Sequence, residues 1–498
     1  MNVKKVLCCL LALFMVAAAL AGCNGGTSSS SSPEASPAAE SSESSAASGE
    51  DAAPPESESE SESSEATEGE PVTISIGNWP TPEKPNYEYM EGLKEAFMDK
   101  YPHITMTTDD YAYAVDTFLP KAASGQLPNL YSTWFTETNK IIDAGYAEDI
   151  TDTMNKYNIL DSVNPDLMPL LGKDDRYYAI PISAYSMAMI YHVPLFEEAG
   201  LMDENDLPIL PKTWDEVAET AAVIKEKTGK NGFFYPTKNN QGGWMFMNLA
   251  WSYGAEFEKQ VDGKWTAVFD SPEAVAALQY LKDLKWKYDV LPANTLLEIA
   301  DLHQMFGTDQ VGIAICAIDQ APNIIKATGC SVDIFAASTT PEGPAGKAAL
   351  LGGSVYFVAP GTTTAQQDAI MKWLEFRGES PVFTEESKQG FEDGKKNDAE
   401  QGFPVGPQGV RIWTSQERLA EEDAIIDKYI NVDMRLWESY SNHASENVRA
   451  EEPVNVQELY KVLDSVIQEV LTNENADPQE LLTKACQDFQ KDYLDKAN

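Results

Sequence analysis

From Val72 onward the apolar residues follow two periods. Short runs rich in Val, Ile and Thr, bounded by Gly, Pro or Asn, read as strands, and longer stretches with apolar residues three and four apart read as helices. Val72-Thr-Ile-Ser-Ile76 is a predicted strand ending in Gly77-Asn78-Trp79. The stretch 87–101 places Tyr87, Met90, Leu93 and Phe97 on one helical face and stops before Pro102, because proline can neither donate a helical hydrogen bond nor fit the preceding turn. Further strands are predicted over 103–108 and 130–134, and helices over 117–124 and 137–144, closed by Gly125 and Gly145. Strand, helix, strand, helix in this order implies a parallel sheet covered by helices, an α/β protein.

The alternation resumes with strands predicted at 178–182 and 187–191, then a helix over 214–228 opened by Thr213 and ended by Gly229, a residue at ease in the left-handed conformation of a helix C-terminus. Ser271-Pro272-Glu273 opens another helix, serine as cap and proline at the first helical position. Apolar strands are predicted at 311–318, 332–336 and 355–359. From Gln416 the pattern is mainly helical, with 454–472 and 478–496 as the last long helices.

The first 71 residues differ in kind. Lys4 and Lys5 precede an apolar run, Val6 to Ala19, and Leu20-Ala21-Gly22-Cys23. A charged start, a short apolar stretch and small residues before a cysteine describe a cleaved export signal whose new N-terminal thiol is lipidated. The expected boundaries are a signal over 1–22 and a lipidated Cys23 heading a linker over 23–71. Between Asn24 and Pro71 there are twelve acidic residues, no basic residue and no aromatic one. Such a composition has nothing to offset the entropy of ordering, and the expectation is a solvated stalk.

The formal net charge is −43, of which −33 falls on Val72 to Asn498. A surface of that sign repels nucleic acid and anionic lipid headgroups, so the expected attachment to the membrane is through lipid alone. Cys316, Cys330 and Cys486 remain beyond Cys23; Cys316 and Cys330 are closest in sequence, but spacing does not fix connectivity. The four histidines lie far apart and no Cys/His spacing describes a zinc site, so neither metal nor cofactor is expected. Asp203-Glu-Asn-Asp206 lacks the full spacing of a calcium loop and reads as a solvated turn.

An ordered series of short motifs carries more. Gly125-Gln-Leu-Pro128-Asn-Leu-Tyr131, Ala144-Gly145-Tyr146, Tyr178-Ala-Ile-Pro181, Ile190-Tyr191-His192, Leu195-Phe196-Glu-Glu-Ala-Gly200, Pro211-Lys-Thr-Trp214-Asp-Glu216, the Gly352-Gly353 turn and Lys372-Trp373-Leu374-Glu375-Phe376 follow one another along the chain. In this order they resemble the extracytoplasmic solute-binding proteins of ATP-driven sugar importers, the group that includes maltodextrin-binding proteins. Three departures stand out. His192 occupies a position where asparagine is usual, Asn129 one where aspartate is usual, and Asp319-Gln320-Ala321-Pro322 lacks the tryptophan many sugar binders place there.

The resemblance implies a two-lobed periplasmic-binding-protein-like fold, each lobe a mostly parallel sheet flanked by helices, with a helical C-terminal part. The first lobe is expected over 72–182 plus about 338–385, the second over 183–337 plus about 386–498. It also implies a monomer that delivers a carbohydrate, expected to be an oligosaccharide, to membrane permease subunits, and no catalytic residue. In open α/β sheets the ligand sits beyond the carboxyl ends of the strands, which selects Trp79, Asp110, Trp134, Phe135, Tyr185, Trp244, Asp319, Gln320 and Trp413 as ligand-contact candidates. Indole faces pack on the C–H face of a pyranose, and carboxylates and amides pair with its hydroxyls. Trp214, Trp286 and Trp373 fall within helical patterns and read as packing residues, while Trp251 and Tyr253 fit either core or cleft rim. Two other readings remain open from sequence: the same fold holding a peptide, polyamine or other small solute, and a surface enzyme using paired carboxylates on glycans. The second has no nucleophile elbow, metalloprotease motif or phosphate loop to support it.

Overall fold

The computed structural model describes residues 69–84 and 86–497. The expected export signal, the lipidated Cys23 and nearly all of the acidic linker lie outside the described residues. Among the described residues no helix is long and apolar enough to cross a membrane.

Nine strands form one continuous mixed sheet: β1 (Val72–Ile76), β2 (Ile104–Thr108), β3 (Leu130–Trp134), β4 (Ala179–His192), β5 (Asn231–Phe234), β6 (Val311–Ala317), β7 (Phe335–Thr339), β8 (Ala349–Val358) and β9 (Val448–Ala450). β1 pairs in parallel with β2 and β3, as the strand–helix alternation requires. The expectation of a mostly parallel sheet needs correction further on: β4 runs antiparallel to β6, β7 and β8, and β8 antiparallel to β3.

β4 and β8 tie the molecule together. The strands predicted separately at 178–182 and 187–191 are one 14-residue strand. Its first half pairs with β8, and its second half, Met187 to His192, lies between β6 and β7. The chain therefore builds two hydrophobic cores on one sheet. The first holds Ile74, Phe97, Leu130, Ile180, Val355 and Trp373; the second holds Met189, Trp214, Phe246, Ile313, Phe335 and Leu463. Along β8 the change of core falls between Leu350 and Leu351. Val410 and Trp413 return to the first core, although 386–498 was expected to lie wholly in the second lobe.

Helices cover both cores. In the first, α1 (Tyr87–Lys100) lies against β2 and the later Thr364–Phe376 helix against β1, Phe97 meeting Trp373 edge-on at 5.2 Å between ring centroids. In the second, α2 (Trp214–Thr228) starts where Thr213 accepts from Glu216 N–H and ends at Gly229 with φ 70°, the cap pair read from sequence. α3 (Gln241–Tyr253), α4 (Pro272–Trp286), α5 (Gln320–Thr328) and α6 (Val456–Thr472) belong to the same lobe. α6 packs on α3 and α4, and Trp286 Nε1 donates to Val470 O at 2.8 Å. Where 332–336 was predicted as a strand, a 3-10 turn (Val332–Ile334) precedes β7. The 478–496 helix is regular only to Phe489.

The departures from the family pattern have structural roles. Asn129 Oδ1 accepts from Ser75 N at 2.9 Å and its Nδ2 donates to Thr362 Oγ1, tying β1 to the turn after β8. His192 is buried and caps the next helix, its Nδ1 accepting from Leu195 N. Asp203 closes a turn by accepting from Asn205 and Leu207 N–H groups. Cys316, Cys330 and Cys486 are free thiols.

Candidate functional site

A cavity of about 240 Å³ opens where the first lobe's Trp134 and Thr136 face Tyr185, Asn239, Asn240, Gln241, Trp244, Glu451, Gln457 and Tyr460, with Gly353 at its floor. Each wall is placed by a local device. Trp134 ends β3, paired with Ser354 of β8, and is 44% exposed. Its neighbour Phe135 turns inward: the Phe135–Glu137 3-10 turn buries that ring beneath Gly353, where a Cβ would stand 2.3 Å from it.

Tyr185 is set by the crossover. The pairing of β4 with β8 skips a residue opposite Ser354 and Val355, and such a bulge bends a strand and re-aims its side chains. Tyr185 then lies directly across from Gly352, where a Cβ would come within 2.5 Å of the ring. Glycine is required there by the ring, and the two glycines together let aromatic groups settle on the crossover strands. Trp244 meets Tyr185 nearly perpendicular, 6.3 Å between centroids.

Gln241, Gly242 and Gly243 form the first turn of α3, directly after the turn residues Asn239 and Asn240. Asn239 and Asn240 take φ of 59° and 67°, a left-handed region asparagine tolerates better than most residues. The helix is capped from elsewhere: Asp464 of α6 accepts from Asn240 N and Gly243 N, both at 2.8 Å. Gly242 and Gly243 let the helices touch, since a Cβ on Gly243 would fall 2.4 Å from Tyr460 O. Burial outweighs these amide donors and raises the Asp464 carboxyl to about 6. Asn240 Nδ2 donates to Gln457 O at 3.0 Å, and Gln457 Nε2 reaches across to Thr136 Oγ1 at 3.5 Å, joining the two lobes over the cavity.

Glu451 follows β9 and stands in the cavity wall, where Tyr460 Oη donates to its Oε1 at 2.5 Å. Desolvation, with the Glu137 charge adding to it, raises Glu451 to about 7 against that hydrogen bond. Among the described residues, no lysine or arginine lines this cavity. Beyond Tyr185 a second hollow of about 350 Å³ is bounded by Asp319, Lys395, the 404–411 segment, Glu422 and Tyr440.

The candidates chosen from sequence therefore separate. Trp134, Tyr185 and Trp244 share the first cavity, and Asp319 borders the second. Gln320 opens α5, donating to Asp319 Oδ1 and bonded through its Oε1 to His303 Nε2, each at 2.9 Å. Asp110 is exposed on the loop after β2 and lines neither hollow. Trp79 and Trp413 need correction. Each is 5% exposed and belongs to the first core. Trp79 Nε1 donates to Glu91 at 2.7 Å with its ring 6.1 Å from Trp373, while Trp413 bridges to Val163 and lies under the Arg418 guanidinium. Phe135 is corrected likewise, as the ring beneath Gly353. Trp251, left open between core and rim, is core, with Nε1 donating to Glu452.

Glu451, Gln457 and Tyr460 were not singled out from sequence. The available signal was the polar set Gln457, Tyr460 and Asp464, spaced at helical intervals on the otherwise apolar inner face of α6.

Two α/β lobes joined by antiparallel crossover strands, with an aromatic and amide-lined cavity between them, define a bilobed binding protein. The chain belongs to the bacterial extracellular solute-binding proteins, whose family model matches residues 92–390. It is 26% identical over 275 residues to a protein of Brucella abortus (strain 2308) provisionally named a binding protein, covering 52% of this chain and 61% of that one. The chain thus spans about three fifths of the length of that curated relative. Over 121 residues, 24% of this chain and 25% of the other, it is 29% identical to an arabinooligosaccharide-binding protein of Halalkalibacterium halodurans. The fold matches an ABC transporter solute-binding protein of Thermotoga lettingae, solved with α-D-tagatose, at a TM-score of 0.61 and 21% identity, over 85% of this chain and 99% of that one.

Proposed function

We propose that this protein captures a saccharide between its two lobes and delivers it to the permease of an ATP-driven importer. The observation that carries the reading is the shared cavity: Trp134 from one lobe and Trp244 with Tyr185 from the other, interleaved with the amides of Asn239, Gln241 and Gln457. Aromatic faces suit the C–H face of a pyranose, and side-chain amides supply both donors and acceptors for its hydroxyls. The saccharides named for the Halalkalibacterium and Thermotoga proteins point the same way.

The cycle follows from the crossover strands. The empty protein samples a splayed state, and a ligand that touches both lobes favours the closed one by its differential affinity. The Thr136–Gln457 contact is a latch for that state. Binding and release need no catalytic group, and the protein acts as a carrier rather than an enzyme. Cys23, after Leu20-Ala21-Gly22, holds the carrier to the outer face of the membrane through lipid, with the acidic 24–71 stretch as tether and a single copy as the working unit.

A thermal-shift panel of mono- and oligosaccharides tests the reading. A ligand that binds only the folded state raises the melting temperature in proportion to the logarithm of its concentration over Kd. The expected result is stabilisation by at least one saccharide, with that saccharide recovered unchanged. Stabilisation by peptides alone, or conversion of the sugar, contradicts it. Palmitate labelling that is lost in Cys23→Ala tests the anchor.

A further inference from the structure

The cavity is aromatic and acidic together. Trp134, Trp244 and Tyr185 line it with rings, Glu451 adds a carboxylate, and among the described residues no basic side chain enters the lining. Tyr460 Oη occupies one oxygen of Glu451; among the described residues no hydrogen bond reaches the other. The charges around the carboxylate are mostly of its own sign. Glu137, across the cleft, is buried, accepts from Tyr113 Oη and, among the described residues, has only Lys140 Nζ at 3.6 Å as a counter-charge. Tyr185 lies in the fields of both Glu451 and Asp319. Arg449, the nearest cation in sequence, is turned away to Glu256 and Glu452.

A neutral ring closing over Glu451 can donate a hydroxyl to its free oxygen but brings no counter-charge to a carboxylate that has none in the cavity lining, and a charge withdrawn from water without one is costly. An ammonium group in the same place meets the carboxylate and ring faces whose quadrupoles attract cations. We propose that the saccharide this cavity is built for carries a protonated amine, an amino sugar or an amino-substituted oligosaccharide, with its ammonium between Glu451 and the rings of Trp134, Tyr185 and Trp244. This rests on the carbohydrate reading above and adds the ligand's charge to it.

The two kinds of ligand move protons in opposite directions. Near neutral pH Glu451 is only partly ionised, because burial and Glu137 raise it to about 7. An ammonium ligand drives the remaining proton off, whereas a neutral ring laid over the group draws a proton on. The other groups facing Glu451 are the phenols of Tyr460 and Tyr185, both raised by burial and so neutral throughout this range.

Isothermal titration of the full chain at pH 7, in two buffers of different ionisation enthalpy, decides the matter. The probes are glucosamine and its β-1,4 disaccharide, their N-acetylated forms, and glucose and cellobiose. The expected result is about tenfold or tighter binding of a free-amine sugar over its N-acetylated and neutral counterparts, the gain of one well-placed charge contact, with proton release on binding. Glu451→Gln is expected to abolish that preference, the free-amine sugar falling to the affinity of its neutral counterpart in the same variant, and Glu451→Asp to retain part of it. Melting temperatures of both variants, measured without ligand, separate a lost contact from a lost fold. Neutral sugars binding as tightly as the amines, or Glu451→Gln weakening both alike, overturns the inference and leaves the carbohydrate reading standing. Binding of spermidine with no sugar of either kind overturns both.

Discussion

Trp79 follows β1 and Trp134 ends β3, neighbouring parallel strands of the same lobe, and the two rings have opposite fates. Trp79 is covered by α1 and the Thr364–Phe376 helix, hydrogen-bonded to Glu91 and packed beside Trp373. Trp134 faces the crossover strands, where Gly353 leaves room and the second lobe stands opposite. Both are tryptophans at the carboxyl side of their strands; what differs is what the chain later lays over each. A strand-end aromatic becomes a cavity wall only where no helix of its own lobe closes over it.

The largest effect that sharpens this comparison is expected at Trp79. Trp79→Ala removes a fully packed indole and is expected to cost the unliganded protein about 3–5 kcal/mol, read as a lowered denaturation midpoint, with ligand affinity preserved in the protein that remains folded. A surviving midpoint would return Trp79 to the cleft.

The carboxylates divide in the same way as the aromatics. Glu258 is 5% exposed inside the second lobe, raised to about 9 by burial and by the charge of Glu452, itself raised to about 7. A carboxyl whose folded value lies above its unfolded one binds protons more tightly in the folded state, so stability is fullest below about pH 4.5 and falls as pH rises toward 9. Glu258→Gln, which keeps the shape and removes the charge, is expected to raise stability at pH 8.5 by an amount on the order of 2 kcal/mol and to change little at pH 5. A pH-independent difference between the two proteins would show that Glu258 is already ionised and paired.

Trp134→Ala is the counterpart of Trp79→Ala. With the ring already 44% exposed, the unliganded melting temperature is expected to move by no more than about 1–2 °C, while saccharide affinity falls roughly tenfold, about 1.4 kcal/mol. A large stability loss with intact affinity reverses its assignment. The smallest effect is expected at Asp464→Asn, which weakens the cap on α3 and costs about 1 kcal/mol, measurable by chemical denaturation; no change would mean that the Asn240 and Gly243 amides find other partners.

The first half of the fold could be read from sequence because its signals are local. The alternation through Trp134, the Thr213 and Ser271 caps and the Gly229 stop each depend on a few neighbouring residues. β4 was divided in two because no short window shows that Ala179–His192 exchanges one set of partner strands for another midway along its length. The cavity was partly legible for the same reason. Tyr185 and Trp244 stand beside their own turns, whereas Glu451 and Tyr460 reach the cavity only because α6 packs on Gly242 and Gly243, more than 200 residues earlier in the chain.

A crystal structure of the protein with a stabilising saccharide tests the central claim most directly. The account predicts a sugar ring between Trp134 and Trp244, in contact with both lobes, with Trp79 and Trp413 still enclosed in the first core. A saccharide held elsewhere, or touching one lobe alone with the Trp134 and Trp244 rings free of it, would contradict the account.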